Sequence, residues 1–294
     1  MKKLKVLVTG NLGFVGNETQ RLLKKEGHEV IGYDIMEGKD IRDKNQFDEK
    51  IRWVWPDRIL HLAAIARFAE ADKELILTHE TNVLGTKNVV EVASKYHIPL
   101  VYSSTGSAIM PLDKYEPPYA ENIPACGNST YGCSKALAER YVEKHSPHII
   151  LRYGHILGAE KRFHGLIGGF LSRIERGLAP TLYGGRQTNS FVYVKDIARA
   201  NLLALTAKWD IWNNIFNIGS PEEISAEEAG RLTCEIFGYK GEVKKEAMRT
   251  VDPIRFCMDI SKAEEMLGFR AKYSLREGLI DMKKELKYDI KKTS

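Results

Sequence analysis

Residues 9–16 read Thr-Gly-Asn-Leu-Gly-Phe-Val-Gly, and this stretch decides which fold the rest of the chain is expected to adopt. It follows the apolar run Leu-Lys-Val-Leu-Val at residues 4–8, which has the length of a buried parallel strand. It precedes residues 17–26, which read as a helix that ends at Gly27. A strand, a glycine-rich turn and a helix in this order predict the first βαβ unit of a dinucleotide-binding fold.

The three glycines of this turn have separate physical roles. Gly10 can adopt turn dihedrals that a Cβ would forbid, Gly13 lets the backbone approach a pyrophosphate, and Gly16 lets the helix pack close to the sheet. The helix N-terminus then offers free N–H groups and the positive end of its dipole to the phosphates. Glycines alone leave open a tight turn that binds nothing, so the interpretation depends on the residues further along the chain.

The second predicted strand ends in an acidic residue. Residues 29–33 form the strand, and Asp34 stands at its carboxyl end, about 20 residues after the glycines. A carboxylate there is expected to accept hydrogen bonds from the adenosine ribose hydroxyls and to repel a 2′-phosphate. No arginine follows closely, because residues 35–38 read Ile-Met-Glu-Gly. The predicted cofactor is therefore NAD rather than NADP.

Composition limits the remaining possibilities. The chain has 294 residues, 43% of them hydrophobic, which suits one or two domains. No apolar run approaches the ~20 residues of a membrane span, and the basic start does not read as a signal peptide. The net charge of +5 is scattered, so neither a nucleic-acid nor a membrane partner is expected. Reduced thiols, a cytoplasmic location and no metal site are expected, because no CxxC pair or metal spacing links Cys126, Cys133, Cys234 and Cys257.

Further apolar runs predict the other strands and the edge at which ligands bind. The strands are expected at residues 57–64, 99–102, 149–152 and 215–219. Hydroxyl residues 103–105 (Ser-Ser-Thr) follow the second of these, at the carboxyl end where ligands bind in open α/β sheets. The proline-rich stretch 110–128 is predicted to form a loop over this edge. Tyr131 and Lys135 follow on one face of a helix, a spacing that is common by itself.

The predicted fold is α/β, a doubly wound parallel (Rossmann) sheet with a smaller C-terminal α/β part that binds substrate. The sequence changes character after residue 152, since residues 158–188 are rich in glycine and basic residues. We therefore predict a dinucleotide-binding Rossmann domain over residues 1–152 and a mostly substrate-binding domain over residues 153–294. Residues 191–218 are expected to return to the Rossmann sheet.

Taken together, the motifs resemble the extended short-chain dehydrogenase/reductase family, which contains NAD-dependent nucleotide-sugar epimerases and dehydratases. The resemblance covers nearly the whole chain, and its specificity lies in the order of the motifs. In chain order they are Thr9-Gly-x-x-Gly-x-x-Gly16, Asp34, Asp40-Ile41, His61-Leu-Ala-Ala64, Asn82, Ser104-Thr105, Tyr131-x-x-x-Lys135 and Arg152-Tyr153.

The resemblance implies a role for each matching residue. Tyr131 would be the catalytic acid/base, and Lys135 would lower the pKa of its phenol and hold the nicotinamide ribose. Thr105 would hydrogen-bond the reacting sugar oxygen. The helices that begin near Asn82 and Tyr131 would form a four-helix homodimer interface. The implied cofactor-binding residues are Gly10, Gly13, Phe14, Val15, Gly16, Asp34, Asp40, Ile41, Leu62, Ala63, Ala64, Asn82, Tyr131, Lys135 and Gly154.

Some positions depart from the family pattern. The 4,6-dehydratases of the family carry acidic residues after the catalytic hydroxyl, where this chain has Gly106 and Ser107, so that branch is disfavoured. His155 and Asn189 stand where many members have an asparagine and an arginine that help to hold the substrate diphosphate. Each candidate arginine is alternatively a plain surface residue. The candidate substrate-binding residues are Thr105, His155, Asn189, Arg67, Arg186 and Arg255.

The predicted function is an NAD-dependent nucleotide-sugar epimerase that acts at C4 through a transient 4-keto sugar. One alternative is an NAD(P)-dependent sugar dehydrogenase or keto-reductase of the same family, which would consume and exchange its cofactor. Another is a non-catalytic nucleotide-sensing protein, since fold does not fix function. The joint presence of Thr105, Tyr131 and Lys135 argues against the last alternative, because a binding module does not need this set.

Overall fold

The computed structural model describes residues 3–110, 114–127, 129–159, 165–248 and 254–287. Parts of the predicted proline-rich loop, residues 111–113 and 128, lie outside them. The described residues form twelve β-strands: β1 (Lys5–Thr9), β2 (Glu29–Tyr33), β3 (Arg58–His61), β4 (Leu100–Thr105), β5 (His148–Tyr153), β6 (His155–Leu157), β7 (Thr181–Tyr183), β8 (Thr188–Tyr193), β9 (Asn214–Ile218), β10 (Glu223–Ser225), β11 (Lys244–Glu246) and β12 (Arg255–Phe256).

The same residues form ten α-helices: α1 (Phe14–Lys25), α2 (Lys44–Val54), α3 (Phe68–Lys73), α4 (Leu75–His79), α5 (Thr86–Lys95), α6 (Thr130–Val142), α7 (Gly165–Glu175), α8 (Val194–Leu205), α9 (Ala226–Phe237) and α10 (Leu275–Glu285). Short 3₁₀ turns occur at Ile35–Glu37 and Trp209–Ile211, and π-helical turns at Glu80–Gly85 and Ala263–Leu267. The π-helical turn Glu80–Gly85 connects α4 to α5 without a break, so the helix near Asn82 begins at Leu75. No helix in the described ranges is long and apolar enough to cross a bilayer.

Six strands form one parallel sheet in the order β2-β1-β3-β4-β5-β9. The chain winds outward in both directions from β1, whose last residue, Thr9, pairs with His61 at the end of β3. The carboxyl ends of these two strands flank the crevice in which doubly wound sheets bind ligands. The predicted Rossmann sheet is confirmed.

Both faces of this sheet are buried, which explains its nearly continuous apolar strands. On β1, Val6 and Val8 face a core that includes Leu23 of α1 and Ile197 of α8. Leu7 points the other way, into a core shared with α2, α5 and α6. Helices on both faces hold the strands in register and leave the carboxyl edge free for a site.

A smaller sheet lies C-terminal to the first five parallel strands. β8 is its centre, with β10 antiparallel on one side and β12 and β6 parallel to it. α7, α9 and α10 supply the core around it. Of the segment 191–218 that was expected to return to the Rossmann sheet, α8 and β9 do so. Residues 191–193 do not, because they belong to β8, whose backbone pairs with strands of the smaller sheet. The domain boundary after residue 152 stays a prediction.

Candidate active site

The glycine turn packs its backbone directly against the chain that follows β3. Gly10 has a φ of +69°, and a Cβ added there would lie 2.7 Å from the nitrogen of Ala63. The Gly10 N–H donates to the carbonyl of Tyr33 (2.9 Å), and the Gly13 N–H donates to the carbonyl of Gly10 (3.1 Å). The turn is therefore fixed between the ends of β2 and β3.

The turn leads into a helix N-terminus that suits an anion. α1 begins at Phe14 after the N-cap residue Gly13; no described side chain caps it, and its first turn holds no acidic residue. The first N–H groups, which include those of Val15 and Gly16, have no partner within a helix and can bind a phosphate. The Phe14 ring packs into the core of the smaller sheet, so only the backbone of Phe14 is available to bind a phosphate. These residues fit the pyrophosphate of a dinucleotide.

Gly16→Ala is expected to weaken NAD binding by at least about tenfold, or about 1.4 kcal/mol. A Cβ at Gly16 would lie 2.1 Å from the carbonyl oxygen of Gly10 and 2.7 Å from Cα of Asn11, so the turn has to move. Calorimetric titration with NAD measures the effect. Gly169→Ala in α7 is the matched control, because a Cβ there meets nothing within 4 Å. Unchanged affinity in Gly16→Ala would contradict this description of the turn.

Asp34 lies beside the turn, as its place after β2 predicts. It is buried, and its carboxylate accepts the N–H groups of Leu12 (2.9 Å) and Met36 (3.0 Å). These bonds fix the side chain next to the glycine turn. An ionised carboxylate accepts about four hydrogen bonds, so acceptor positions remain for ribose hydroxyls.

Asp40 is already engaged by its neighbours. Its carboxylate pairs with the Arg42 guanidinium at 2.6 Å, and hydrogen bonding to Arg42 lowers the pKa of the Asp40 carboxyl. Its N–H donates to the side chain of Gln46 (3.0 Å), and its carbonyl accepts the Tyr33 hydroxyl (3.2 Å). Ile41 is buried. The implied contact of Asp40 and Ile41 with the cofactor stays a prediction, and it would not use a free Asp40 carboxylate.

A buried histidine joins the glycine turn to the helix after β3. His61 Nδ1 lies 2.7 Å from the Thr9 hydroxyl, and Nε2 lies 3.0 Å from the Thr86 hydroxyl. The Thr86 hydroxyl donates to the carbonyl of Asn82 (2.7 Å), so it must accept the proton on Nε2. Nδ1 then accepts the Thr9 hydroxyl. The contacts on both sides thus specify one neutral tautomer of His61.

The Thr9 hydroxyl that bonds to His61 also holds two residues predicted to bind the cofactor. Its oxygen accepts the N–H groups of Leu62 (3.2 Å) and Ala63 (3.3 Å). Burial, together with a smaller effect of the Lys135 charge, lowers the pKa of His61 to about 3. His61 is therefore neutral at physiological pH and adds no positive charge beside Lys135.

Asn82 braces two elements of the site. Its Oδ1 accepts the N–H of Ile65 (2.8 Å), and its Nδ2 donates to the Ile65 carbonyl (2.9 Å) and to the Ser134 hydroxyl (3.0 Å). Ser134 in turn donates to the carbonyl of Tyr131 (2.7 Å). Both amide hydrogens are used by the protein, so Asn82 fixes the chain just after Ala64 against α6. The implied contact of Asn82 with the cofactor stays a prediction, and it would not use the two amide hydrogens.

α6 brings the two predicted catalytic residues to the end of β4. Ser129 caps the helix by accepting the N–H of Gly132 (3.1 Å). Gly132 lies so close to the segment after Thr105 that a Cβ there would be 1.9 Å from the carbonyl of Ala108. Tyr131, in the first turn of α6, therefore stands at the edge where β4 ends in Thr105.

An aromatic residue that the sequence did not single out packs on Tyr131. Phe68, the first residue of α3, sets its ring edge-on to that of Tyr131, with 5.5 Å between centroids. Phe68 is nevertheless 50% exposed. Arg67, the N-cap residue of α3, precedes it. Its contact with a substrate stays a prediction.

Burial acts on Tyr131 and Lys135 in opposite directions. It raises the pKa of the Tyr131 phenol, and it lowers the pKa of the Lys135 ammonium to about 7, an effect that Glu139 opposes. The direction for Tyr131 is opposite to the predicted lowering by Lys135. The cause is burial, which disfavours the charged form of both side chains.

A buried ion pair lies behind the catalytic residues. Arg152, on β5, bonds to Glu139 of α6 through Nε (3.1 Å) and Nη2 (2.8 Å), and their side chains are only 3% and 2% exposed. Arg152 Nη1 donates to the carbonyl of Glu121 (3.0 Å) in the loop over the site. The Glu121 carboxylate accepts the N–H of Asn217 on β9 (2.8 Å). The pair therefore fastens the loop to α6 and to the sheet.

Two predicted substrate residues meet in the smaller sheet. His155 sets its ring 4.8 Å from that of Phe256, and its Nδ1 is buried without a hydrogen-bond partner in the described residues. Burial lowers the pKa of His155 to about 4, so the ring is neutral at physiological pH. Asn189 pairs with Phe256 across β8 and β12. His155 and Asn189 are thus gathered around one phenylalanine.

The other two candidate arginines have different surroundings. Arg255 forms a two-point ion pair with Glu223, at 2.7 Å from Nε and 2.8 Å from Nη2, so its guanidinium fork is occupied. Arg186 is exposed on the turn before β8 and faces the charge of Glu227. In the described part of the chain, no cluster of three or more His, Cys, Asp or Glu side chains could hold a metal ion.

The sequence profile of the NAD dependent epimerase/dehydratase family matches residues 6–219, which include most of the parallel sheet. The chain belongs to this family. Membership confirms the resemblance drawn from the motifs, the expectation of an enzyme and NAD as the cofactor of the family.

Individual members are similar over nearly their whole length. A protein from Methanocaldococcus jannaschii named "Putative UDP-glucose 4-epimerase" is 33% identical, over 93% of this chain and 95% of its own. The UDP-N-acetyl-alpha-D-glucosaminuronate decarboxylase of Bacillus cytotoxicus is 28% identical, over 95% and 96%. The UDP-glucose 4-epimerase of Thermotoga maritima, solved with UDP-glucose, superposes with a TM-score of 0.87 at 28% identity, over 99% of this chain and 100% of its own.

One departure from the dehydratases of the family has a steric cause. A Cβ on Gly106 would lie 2.1 Å from Sδ of Met258, and Cβ atoms on Gly154 and Gly219 would lie 3.1 and 3.2 Å from its Cε. The thioether is buried and fills the space beside the catalytic hydroxyl. An acidic residue at position 106 cannot be added unless Met258 moves. Gly154 packs here too, and its N–H donates to the carbonyl of Ile218 (2.9 Å), so any cofactor contact would use other atoms.

Several residues around Tyr131 and Lys135 were not singled out from the sequence. Glu139 had a local signal, because it continues the four-residue spacing of Tyr131 and Lys135 on α6. Phe68, Tyr102 and Met258 belong to no motif, although Phe68 follows Arg67 and Tyr102 lies three residues before Thr105.

Proposed function

We propose that this protein is an NAD-dependent epimerase that inverts C4 of a UDP-hexose through a transient 4-keto sugar. The observation that carries the proposal is the packing of α6, which bears Tyr131 and Lys135, against β4 and the segment after Thr105. A Cβ on Gly132 would lie 1.9 Å from the Ala108 carbonyl oxygen, and Lys135 Nζ lies 4.2 Å from the centroid of the Tyr102 ring. The similarity to UDP-glucose 4-epimerases supports the choice of substrate. Met258, in the place of a dehydratase acid, favours epimerisation over loss of water.

The proposed cofactor site combines the glycine turn, Asp34 and the backbone after β3. When bound, NAD would supply the group that takes hydride from the sugar carbon and returns it. The uncapped N-terminus of α1 would hold the pyrophosphate, and Asp34 would hold the adenosine ribose. His61 and Thr9 hold the backbone of Leu62 and Ala63 in place alongside.

The chain's own residues would move the proton. Tyr131 would take the proton of the sugar 4-hydroxyl and give it back to the oxygen after the face of the ring has changed. In its charged form, Lys135 one turn away would stabilise the phenolate that this step needs. That stabilisation would offset the burial that raises the pKa of Tyr131. Thr105 would hydrogen-bond the same sugar oxygen and hold it near Tyr131.

The test is incubation of the purified protein with single UDP-sugars, followed by chromatography of the products. We expect UDP-glucose and UDP-galactose to interconvert without added cofactor, and NAD to be released when the protein is denatured. Release of CO₂ from a UDP-uronic acid would replace this proposal with the decarboxylase activity of another relative. Stoichiometric consumption of NADH with a keto-sugar would favour the keto-reductase. No turnover and no bound NAD would leave the non-catalytic alternative.

We also propose that the protein is a homodimer in the cytoplasm. The face of α4, the turn Glu80–Gly85 and α6 exposes Ile76 (77%), Leu84 (42%) and Leu137 (44%), which is costly in water. Sedimentation equilibrium is expected to give twice the chain mass of 33.3 kDa, and a monomer would contradict the dimer.

The proposed cytoplasmic location rests on the cysteines. All four cysteines are free thiols, which suits the cytoplasm, and cell fractionation tests the location.

A further inference from the structure

The ammonium group of Lys135 rests on the face of an aromatic ring. Its Nζ lies 4.2 Å from the centroid of the Tyr102 ring, and both side chains are buried, at 2% and 0% exposure. Tyr102 lies on β4, three residues before Thr105. The ring therefore joins the strand that ends in the catalytic hydroxyl to the helix that carries Lys135. This distance is well inside the ~6 Å range of a cation–π contact.

The charged and titratable groups around Lys135 do not replace this contact. Glu139, one turn further along α6, attracts the ammonium, but both of its oxygens are bonded to Arg152. His61, on β3, packs at 5.5 Å from the Tyr102 ring and is neutral. Tyr131, one turn earlier, is a neutral phenol until it reacts. Because the Glu139 carboxylate is already bonded to Arg152, the buried Lys135 ammonium depends on the Tyr102 ring for part of its stabilisation.

We propose that Tyr102 is a positioning residue for Lys135, whose aromatic face holds the ammonium in its charged form and at a fixed place beside Thr105. The proposal rests on the role of Lys135 in the proposed function. Without this contact Lys135 would lose its proton more easily, and it would no longer stabilise a phenolate at Tyr131. Tyr102 itself touches no substrate in this scheme and acts only through Lys135.

Direct measurement of the Lys135 pKa tests the proposal independently of activity. The side-chain nitrogen resonances of labelled lysine are titrated by NMR, and the Lys135 signal is assigned by its loss in Lys135→Arg. Tyr102→Phe keeps the aromatic face, so the pKa should stay near its wild-type value of about 7. Tyr102→Leu removes the face, and the pKa should fall by about one unit. An unchanged pKa in Tyr102→Leu would overturn the proposal.

A shape-preserving series covers the case in which Tyr102→Leu does not fold. Phenylalanine at position 102 is replaced by its mono-, di- and pentafluoro analogues, which keep the ring's shape and weaken the attraction of its face for a cation. We expect the pKa of Lys135 to fall stepwise with fluorination, and kcat at neutral pH to fall with it. A flat pKa across the series contradicts the proposal. If the pKa of Lys135 falls stepwise but the protein epimerises no sugar, the contact between Tyr102 and Lys135 would be supported and the proposed function would be rejected.

Discussion

Tyr131→Phe is expected to lower kcat for UDP-hexose epimerisation by about a thousandfold, within the ~10²–10⁴ range of positioned acid–base groups. The substitution removes the oxygen that would take and return the proton of the sugar 4-hydroxyl. It leaves the ring that packs against Phe68, with 5.5 Å between centroids, and it leaves the carbonyl that accepts the Ser134 hydroxyl. The fold and the glycine turn should therefore be unaffected.

Steady-state kinetics and thermal unfolding of the two proteins measure this effect. Tyr141→Phe is the matched control, because it makes the same chemical change on the same helix two turns beyond Lys135. We expect Tyr141→Phe to keep wild-type kcat and Tyr131→Phe to keep wild-type NAD affinity. Activity of Tyr131→Phe within a few-fold of wild type would show that another group moves the proton.

Glu139→Leu is expected to lower the free energy of unfolding by about 3–5 kcal/mol, the range found when one partner of a buried ion pair is removed. The guanidinium of Arg152 would keep its backbone acceptors at Glu121 (3.0 Å) and Ile123 (3.5 Å) and lose both carboxylate oxygens. An uncompensated charge inside the protein is costly because no water can solvate it. The loop over the site would lose its fastening to α6 at the same time.

Urea unfolding measured by circular dichroism gives the free-energy change. Arg140→Ala, on the same helix, breaks the exposed pair with Glu143 (62% and 36% exposed) and should change stability by less than about 1 kcal/mol. The double variant Glu139→Leu with Arg152→Met removes both charges and should recover much of the loss. A single variant as stable as the double would show that the buried pair contributes no coupling.

The parts that the sequence predicted well are those whose cause is local. The glycine turn, Asp34 after β2, and Tyr131 with Lys135 on one helix face each follow from residues within a few positions of one another. The burial of β1 on both of its faces likewise follows from an apolar run. Such patterns fix an element and the direction of its side chains, and from these the family could be predicted and the site residues could be proposed.

The features of the site that could not be predicted from the sequence depend on contacts between positions far apart in the chain. The bond between His61 and Thr9 spans 52 residues, and that between Asn82 and Ser134 also spans 52. The motif that implies a cofactor role for Asn82 can be read in the sequence, whereas its three hydrogen bonds to protein atoms cannot. The Tyr131 pKa was expected to fall because a nearby lysine is visible in the sequence, whereas the depth of burial is not.

Met258 has a consequence for how the chemistry of this chain can change over evolution. Its thioether lies against Gly106, Gly154 and Gly219, so these four positions are sterically interdependent. An acid introduced at position 106 would place its Cβ 2.1 Å from the sulfur, so the Met258 side chain has to shift or be replaced before that acid fits. A change at position 106 therefore calls for an accompanying change at position 258.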